Sequence, residues 1–354
     1  MQIKLLSKCI VNWYNFNKRD LPFRLTKNPY KIWLSEVMLQ QTKVNTVVPY
    51  YEKWIKHFPT LKSVALANFD DLLKLWEGLG YYNRCKNFHK ATKIVLKHYD
   101  GMIPNTFEKF ISLPGVGDYT AGAVLSIAFQ KTFPAIDGNV VRVLSRLLGI
   151  KNLTKRNLRR IKNTVISAIP QKNPGDFNQG LMELGATICI PKNPKCAVCP
   201  IISNCKAYER KKENIYPVLQ KKGKNPHISV VAGIIWRKKT FYIQKRKMNS
   251  MLGGLWEFPG GKVKNGETLQ NALKRELIEE CGFEPKIIKE IDPIKHSYSH
   301  FSITFHCFYC IENKTLLLPR KASAWITVDE IKLYSFPKAN HKLFKLLSKY
   351  DWFI

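Results

Sequence analysis

Residues 113–129 read LPGVGDYTAGAVLSIAF. The Pro114-Gly115-Val116-Gly117 core should end one helix near Leu113 and release a second from Asp118, because Gly and Pro punctuate helices and Asp is favoured in a first turn. Two glycines two positions apart let backbone N–H groups meet a phosphate at a helix N-terminus with no side chain in the way. That is a helix-hairpin-helix, a grip on a nucleic-acid backbone that ignores base sequence. A bare Gly-x-Gly would also fit an ordinary helix turn, so context separates the two. Apolar residues flank the turn on both sides, and the 354-residue chain carries 58 Lys and Arg against 26 Asp and Glu, a net +32. Such an excess points first to a polyanionic partner. A Lys-rich bias of the source genome competes as the explanation of part of it.

Outward from the hairpin, the first 210 or so residues are patterned as helices. Asn28-Pro29 before YKIWLSEVMLQQT is a helix start, Asn capping and Pro suiting the first turn. Past Pro217 the stretch KKGKNP (221–226) is basic and full of breakers, which predicts a linker over 216–226. Beyond it ISVVAGIIW (228–236), TFYIQKR (240–246) and SHFSITFHCFYCI (299–311) read as strands around one amphipathic helix, TLQNALKRELIEEC (268–281). The expected architecture is an all-α domain over 1–215, then a compact α/β or α+β domain over 227–354. No repeat of 20–50 residues occurs. No run approaches the roughly 18 apolar residues of a membrane span, and the N-terminus lacks an apolar signal core. The expectation is a monomer without membrane association, in a bacterial-type cytoplasm and drawn to the nucleoid by DNA.

Nine cysteines, an odd number widely spread, make a poor disulfide framework and suggest a reducing compartment. Four of them fall within 17 residues, as Cys189-x6-Cys196-x2-Cys199-x5-Cys205. That cluster predicts a metal site, and four thiolates suit zinc or an iron–sulfur cluster equally by ligand type. Two carboxylates stand out upstream. Glu36 interrupts the apolar run Trp33, Leu34, Val37, Met38, Leu39; buried there, it would have a raised pKa and could act as a general acid. Asp137, in IDGNVVRVLSR (136–146), precedes a helix twenty residues after Gly117 and can face what the hairpin holds. A helix N-cap would also explain it.

RDLPFR (19–24), NPYKIWLSEVMLQQT (28–42), GLGYYNR (78–84), LPGVGDYTAGAV and DGNVVRVLSR, followed by the four cysteines, resemble the MutY adenine DNA glycosylases in register over about the first 210 residues. The resemblance implies a helical bundle carrying the hairpin, packed on a lobe made from the N-terminal helix and the cysteine segment. It implies hydrolytic removal of adenine mispaired with 8-oxoguanine or guanine in double-stranded DNA, the adenine being flipped out of the helix. By position, Glu36 would protonate adenine and Asp137 would stay ionised to stabilise or trap the sugar cation, with Tyr119 and Asn139 orienting them. Two carboxylates in unlike environments are what such an oxocarbenium-like reaction needs. Leu39, Gln40, Gln41 and Thr42 match the family's wedge into the duplex, Arg24 and Arg84 its DNA and pocket contacts, and Gly115 and Gly117 its backbone clamp. Phe23 stands where the family usually has Trp. The cysteine spacing equals the family's [4Fe-4S] loop, whose Lys192 and Lys195 would face phosphates. The endonuclease III-like branch shares the hairpin, the Asp and the cysteines, but its lyase step uses a Lys where this chain has Tyr119.

GKVKNGETLQNALKRELIEECGF (261–283) fits G-x5-E-x7-R-E-U-x-E-E-x-G-U throughout and resembles the Nudix family. Glu276, Glu279 and Glu280 share one helix face and would suit a hard cation such as Mg²⁺. GGLWEFPGGK (253–262) is close to the MutT pyrophosphohydrolases, with Asn340 in FPKAN (336–340) at the purine contact and Arg246 near the nucleotide site. Tyr298-Ser299-His300 resembles the Phe-Ser-His loop with which MutY proteins probe 8-oxoguanine. Ala324, before Trp325, replaces an acidic residue of MutT-like enzymes. That favours a recognition domain over a hydrolase of 8-oxo-dGTP, which remains the alternative.

Overall fold

The computed structural model describes residues 3–218, 223, 225–282, 284–298, 300–311 and 322–350. Ser299, the Phe283 that closes the Nudix motif, and the linker residues 219–222 and 224 lie outside the described residues. The chain divides into two compact units, residues 1–66 with 86–221, and residues 67–85 with 222–354. The N-terminal region is mostly α-helical and the C-terminal region mixed α/β. Among the described residues no helix is long and apolar enough to cross a membrane.

In the first unit, the helix Pro29–Leu39 starts as its sequence predicts: Asn28 accepts the backbone N–H of Lys31, and Pro29 occupies the first turn. Residues Ile32 to Met38 are all buried, so this helix is wrapped on every side rather than amphipathic. Trp33 packs edge-on against Phe88 and Phe110 at 4.9 and 5.2 Å between ring centres. A second core joins the N-terminal helix Ile3–Asn17 to the helices Gly138–Leu148, Lys155–Ala168 and Pro174–Thr187 through Leu6, Ile10, Val143, Leu144, Phe177 and Leu181. Cys189, Cys199 and Cys205 pack against its edge. The hairpin lies between the helices Phe107–Ile111 and Asp118–Phe129.

The second unit is built on one sheet of seven strands: β1 His227–Arg237, β2 Thr240–Lys245, β3 Trp256–Glu257, β4 Gly260–Lys262, β5 Lys286–Ser297, β6 Ser302–Ile311 and β7 Ser323–Ile326. The order is β3-β2-β1-β6-β5, with β4 on β1 and β7 on β2. β1 and β6 run parallel over ten residue pairs, His227↔Ser302 to Trp236↔Ile311. One face is covered by the helix Leu269–Cys281 through Leu273 and Leu277. The other is covered by the helix Lys338–Leu347 through Leu343 and Leu347. Among the described residues of 227–354, the single helix expected from the sequence is therefore corrected to two. The second is short and interrupted by three lysines, but its apolar residues recur three and four apart and close the sheet's far face.

β5 was not visible in the sequence because ten of its twelve residues are not buried and it contains Pro293. Proline cannot donate in a ladder and is confined to edges and bulges. Both conditions hold here: β5 is the sheet's edge, and its pairing with β6 shifts register between Ile291 and Ile294.

Candidate active site

Glu36 is 6% exposed at the inner side of the helix Pro29–Leu39 and opens on a cleft of about 160 Å³. Burial pushes its carboxyl up to about 7, against the hydrogen bond from Tyr119; nearby Asp137 adds to the rise and Arg24 opposes it. Tyr119, one residue into the helix after the hairpin, donates its hydroxyl to Glu36 Oε2 at 2.7 Å and reaches Met182 Sδ at 3.2 Å. Burial and the two carboxylates push the Tyr119 hydroxyl well above its usual pKa, so it stays a donor.

Asp137 lines the same cleft from the N-terminus of the helix Gly138–Leu148. Its Oδ1 accepts the Val140 N–H at 2.8 Å and its Oδ2 accepts Asn139 Nδ2 at 2.7 Å. Burial raises its carboxyl, while these hydrogen bonds and Arg142 oppose the rise. The partial positive charge of the helix N-terminus favours the ionised form as well. The N-cap and the cleft carboxylate are thus the same side chain.

Asp137 is braced from behind. Asn139 Oδ1 accepts Arg142 Nη2 at 2.8 Å, and Arg142 donates on to the carbonyls of Gly185 at 2.7 Å and Cys189 at 2.8 Å. One turn further along, Arg146 is 2% exposed and donates to the carbonyls of Ile190 and Pro191, with Nη1 3.3 Å from Cys189 Sγ. A Cβ on Gly185 would fall 2.6 Å from that of Asn139, so only glycine lets the two helices meet there. The sequence reading missed Arg142 and Arg146, although their spacing of three and four from Asn139 and Arg142 marks one helix face.

The cleft's other wall is an ion-pair cluster, also missed. Glu183, its side chain 1% exposed, accepts Arg19 at 2.7 and 2.8 Å and Arg24 at 2.6 Å. Burial alone would raise its carboxyl, but the two arginines bring it down to about 2. Leu39 and Thr42 also line the cleft, whereas Gln41 is exposed in a left-handed conformation, φ +57, just past the helix end. Gln40 donates to Thr120 Oγ1 at 3.1 Å.

The two hairpin glycines are used differently. Gly115 has φ +78, and a Cβ there would meet Asn87 at 2.8 Å, so both backbone and packing call for glycine. Gly117 has φ −111, and a Cβ there would meet nothing within 4 Å. Neither fold nor packing demands glycine at 117; open space lies before it. Further along, Cys189, Cys196, Cys199 and Cys205 are all free thiols around one small, apolar-lined cavity with Arg146 and Glu213 at its edge. They ring the space rather than meet at one point: among the described residues no three His, Cys, Asp or Glu converge on a single centre. Lys192 and Lys195 are exposed on this segment.

In the second unit a pocket of about 650 Å³ is lined by Arg246, Glu276, Glu279, Glu280, Tyr298 and Asn340. All three Nudix-helix carboxylates have protein partners, two of them at hydrogen-bond distance. Glu276 pairs with Arg275 at 2.7 Å, and Glu280 accepts Gln244 and, at 3.0 Å, the N–H of Gly260. Glu279 is mostly exposed, 3.7 Å from Arg275. Ala324 sits in β7 opposite Ile243 of β2. Tyr298 stacks on Phe301 at 4.7 Å, and exposed His300 meets the ring of Tyr81 edge-on at 6.3 Å. Arg84 belongs to this unit too, over the rings of Trp76 and Tyr81 and donating to Gly80 O at 3.1 Å.

Residues 34–167 match the HhH-GPD superfamily of base excision DNA repair proteins, and residues 230–346 match the NUDIX domain. The adenine DNA glycosylase of Buchnera aphidicola from Acyrthosiphon pisum is 40% identical over 300 residues, covering 84% of this chain and 84% of that protein. The adenine DNA glycosylase of Buchnera aphidicola from Schizaphis graminum is 35% identical over 353 residues, covering 98% of this chain and 99% of that protein. Among solved structures, a thermostable thymine-DNA glycosylase aligns with TM-score 0.54 and 30% identity, over 59% of this chain and 97% of that one. The chain belongs to the MutY-type adenine DNA glycosylases, base-excision-repair enzymes that act on adenine mispairs, with a helix-hairpin-helix glycosylase domain fused to a C-terminal Nudix domain.

Proposed function

We propose that this enzyme excises adenine paired with 8-oxoguanine, and less readily adenine paired with guanine, releasing the free base. The observation that carries the reading is a pair of carboxyls in one cleft with unlike surroundings: Glu36 buried with its pKa near 7, Asp137 held by donors at a helix N-terminus. Glu36 delivers a proton to the flipped adenine, which makes it a leaving group. Asp137 stays ionised and stabilises, or covalently traps, the positive charge left on the sugar. Tyr119 holds the Glu36 carboxyl, and Asn139 holds that of Asp137. The hairpin around Gly115 and Gly117 receives a phosphate, Leu39, Gln41 and Thr42 wedge the duplex, and Arg24 and Arg84 contact DNA. Tyr119 in place of a nucleophilic Lys leaves no amine for strand cleavage through a Schiff base.

Cys189, Cys196, Cys199 and Cys205, four thiols around one small cavity, would hold a [4Fe-4S] cluster, a group that four Cys thiolates ligate. When bound, it ties four points of the 189–205 segment together, and this segment presents Lys192 and Lys195 to phosphates. In the second unit, Tyr298, Ser299 and His300 would read the base opposite adenine. Glu276, Glu279 and Glu280 would hold Mg²⁺, which neutralises carboxylates and can bind phosphate oxygens. Arg275 already compensates Glu276, and Ala324 supplies no further carboxylate, which favours reading over nucleotide hydrolysis. The decisive assay is incubation of the purified full chain with a duplex bearing one adenine opposite 8-oxoguanine, followed by alkali. Strand breakage at the adenine only after alkali is expected; an intact strand, or breakage without alkali, would remove this reading.

A further inference from the structure

A strip of the sequence lying well before the Nudix motif, residues 67–85, belongs to the second unit, and one carboxylate sets its role there. Glu77 follows the helix Phe69–Trp76, and its side chain is 12% exposed. Its Oε1 accepts the backbone N–H of Phe336 at 2.7 Å and pairs with His341 Nε2 at 2.8 Å. Its Oε2 accepts Lys74 Nζ at 2.8 Å, and Lys74 also donates to Tyr334 O at 2.7 Å. Burial would raise the Glu77 carboxyl, but His341, Lys74 and the Phe336 N–H outweigh it and hold it below the usual carboxylate range. Lys245 of β2 pairs with Asp70 at 2.6 Å and secures the other end of the strip. Segment 334–341 is thus tied to the strip at three points.

That segment is a pocket wall. Pro337, Ala339 and Asn340 line the pocket of about 650 Å³ that also holds Arg246 and Tyr298. Asn340 is 4% exposed, and its Nδ2 has no acceptor among the described residues. A buried amide left without an acceptor is costly unless a bound group supplies one. The sheet reaches this wall through Trp256 of β3, whose N–H donates to Ser335 O at 2.8 Å; past it the chain runs without regular structure until the last helix begins at Lys338. Phe336 is fully buried, and the acceptor for its N–H is Glu77. The same strip carries Tyr81, left-handed at φ +52, whose ring meets His300.

We propose that Glu77 is a specificity-determining positioning residue, holding the Phe336–His341 wall so that Asn340 presents its amide to the base opposite adenine. The inference rests on the reading of this pocket as the site that senses that base. It adds that the sensor depends on residues 67–85, so the Nudix portion by itself would lack the support that holds its binding wall.

The test uses the full chain and single-turnover excision of adenine opposite 8-oxoguanine and opposite guanine. Glu77→Ala should lower the first rate about tenfold, the scale of one lost buried hydrogen bond, and leave the second unchanged, so that their ratio collapses. Glu77→Gln keeps an acceptor for the Phe336 N–H and should retain more of the ratio than Glu77→Ala. A parallel fall of both rates, as from lost stability alone, would overturn the proposal, and so would an unchanged ratio. His300→Ala separates the two levels of the argument. If it too leaves the ratio at the wild-type value, the reading of the pocket fails. If it lowers the ratio and Glu77→Ala does not, only the assignment to Glu77 fails.

Discussion

Adenine leaves a nucleoside readily only when protonated, and an ordinary Glu is almost fully ionised at neutral pH. Glu36 differs because the helix that carries it is buried around its whole circumference, which removes the water that would stabilise a carboxylate. Its protonated fraction falls as pH rises through about 7, so single-turnover excision should decline above that value. Asp137 must stay ionised, and burial lifts its carboxyl above the usual 3.8, so an acid limb should begin above that value as well. Glu36→Gln should abolish excision across the whole range; a variant active at neutral pH would show that the proton comes from elsewhere. Asp137→Asn should still bind the mismatch but excise at least about a thousandfold more slowly, the upper end of what a single charge-stabilising group contributes. Gel-shift affinity and single-turnover rate, measured on the same preparation, separate the two effects.

At the scale of elements, the turn between two helices and the junction of the N-terminal segment with the helix Pro174–Thr187 make different demands. Gly115→Ala forces a side chain into a left-handed position against Asn87 and should destabilise the fold by roughly 1–2 kcal/mol while weakening DNA binding. Gly117→Thr, at an ordinary φ and a helix N-cap, should leave the melting temperature nearly unchanged and still weaken binding, because only an approaching phosphate meets the new side chain. Unchanged affinity in Gly117→Thr would take the phosphate away from this turn. Glu183 links Arg19 and Arg24 to the helix Pro174–Thr187 from a buried position. Because its folded pKa lies near 2, below the ordinary 4.5, the stability it supplies is complete above pH 4.5 and is lost as pH falls through about 2. Denaturant titrations at several acid pH values should show that window in the wild type and its loss in Glu183→Gln, which should itself be less stable by about 3 kcal/mol at neutral pH.

For the whole molecule, a net charge of +32 makes two readings separable by salt. If Lys and Arg displace counterions from DNA, the logarithm of the binding constant falls linearly with the logarithm of salt concentration, with a slope of roughly −0.9 per phosphate neutralised. A flat response would return the excess charge to genome composition. The cysteine segment carries the other whole-chain test: protein prepared without oxygen should be brown, with four irons and four acid-labile sulfides per chain. Stoichiometric zinc in colourless protein would refute the cluster.

Motif spacing determined much of this protein before any coordinates. LPGVGDY located the hairpin, DGNVVRVLSR located a capped helix, and the loop–helix from Gly261 located the Nudix fold, because each reflects a local backbone requirement that spacing records. The apolar run around Glu36 also told in advance that a carboxyl there would be either solvated or perturbed. Folding decided which. Only the packed structure brings Tyr119 within 2.7 Å of Glu36 and Asp137 into the same cleft, across gaps of 83 and 101 residues that carry no periodic signal. Arg142, Glu183 and Glu77 were silent for the same reason: a lone charge in a sequence looks solvated until its partners are known. β5 was hidden by its polar edge and its proline, and residues 67–85 read as one more piece of the helical half. Their place in the second unit is set by ion pairs and hydrogen bonds spanning 175 to 264 residues of chain, and contacts of that range exist only in the folded molecule.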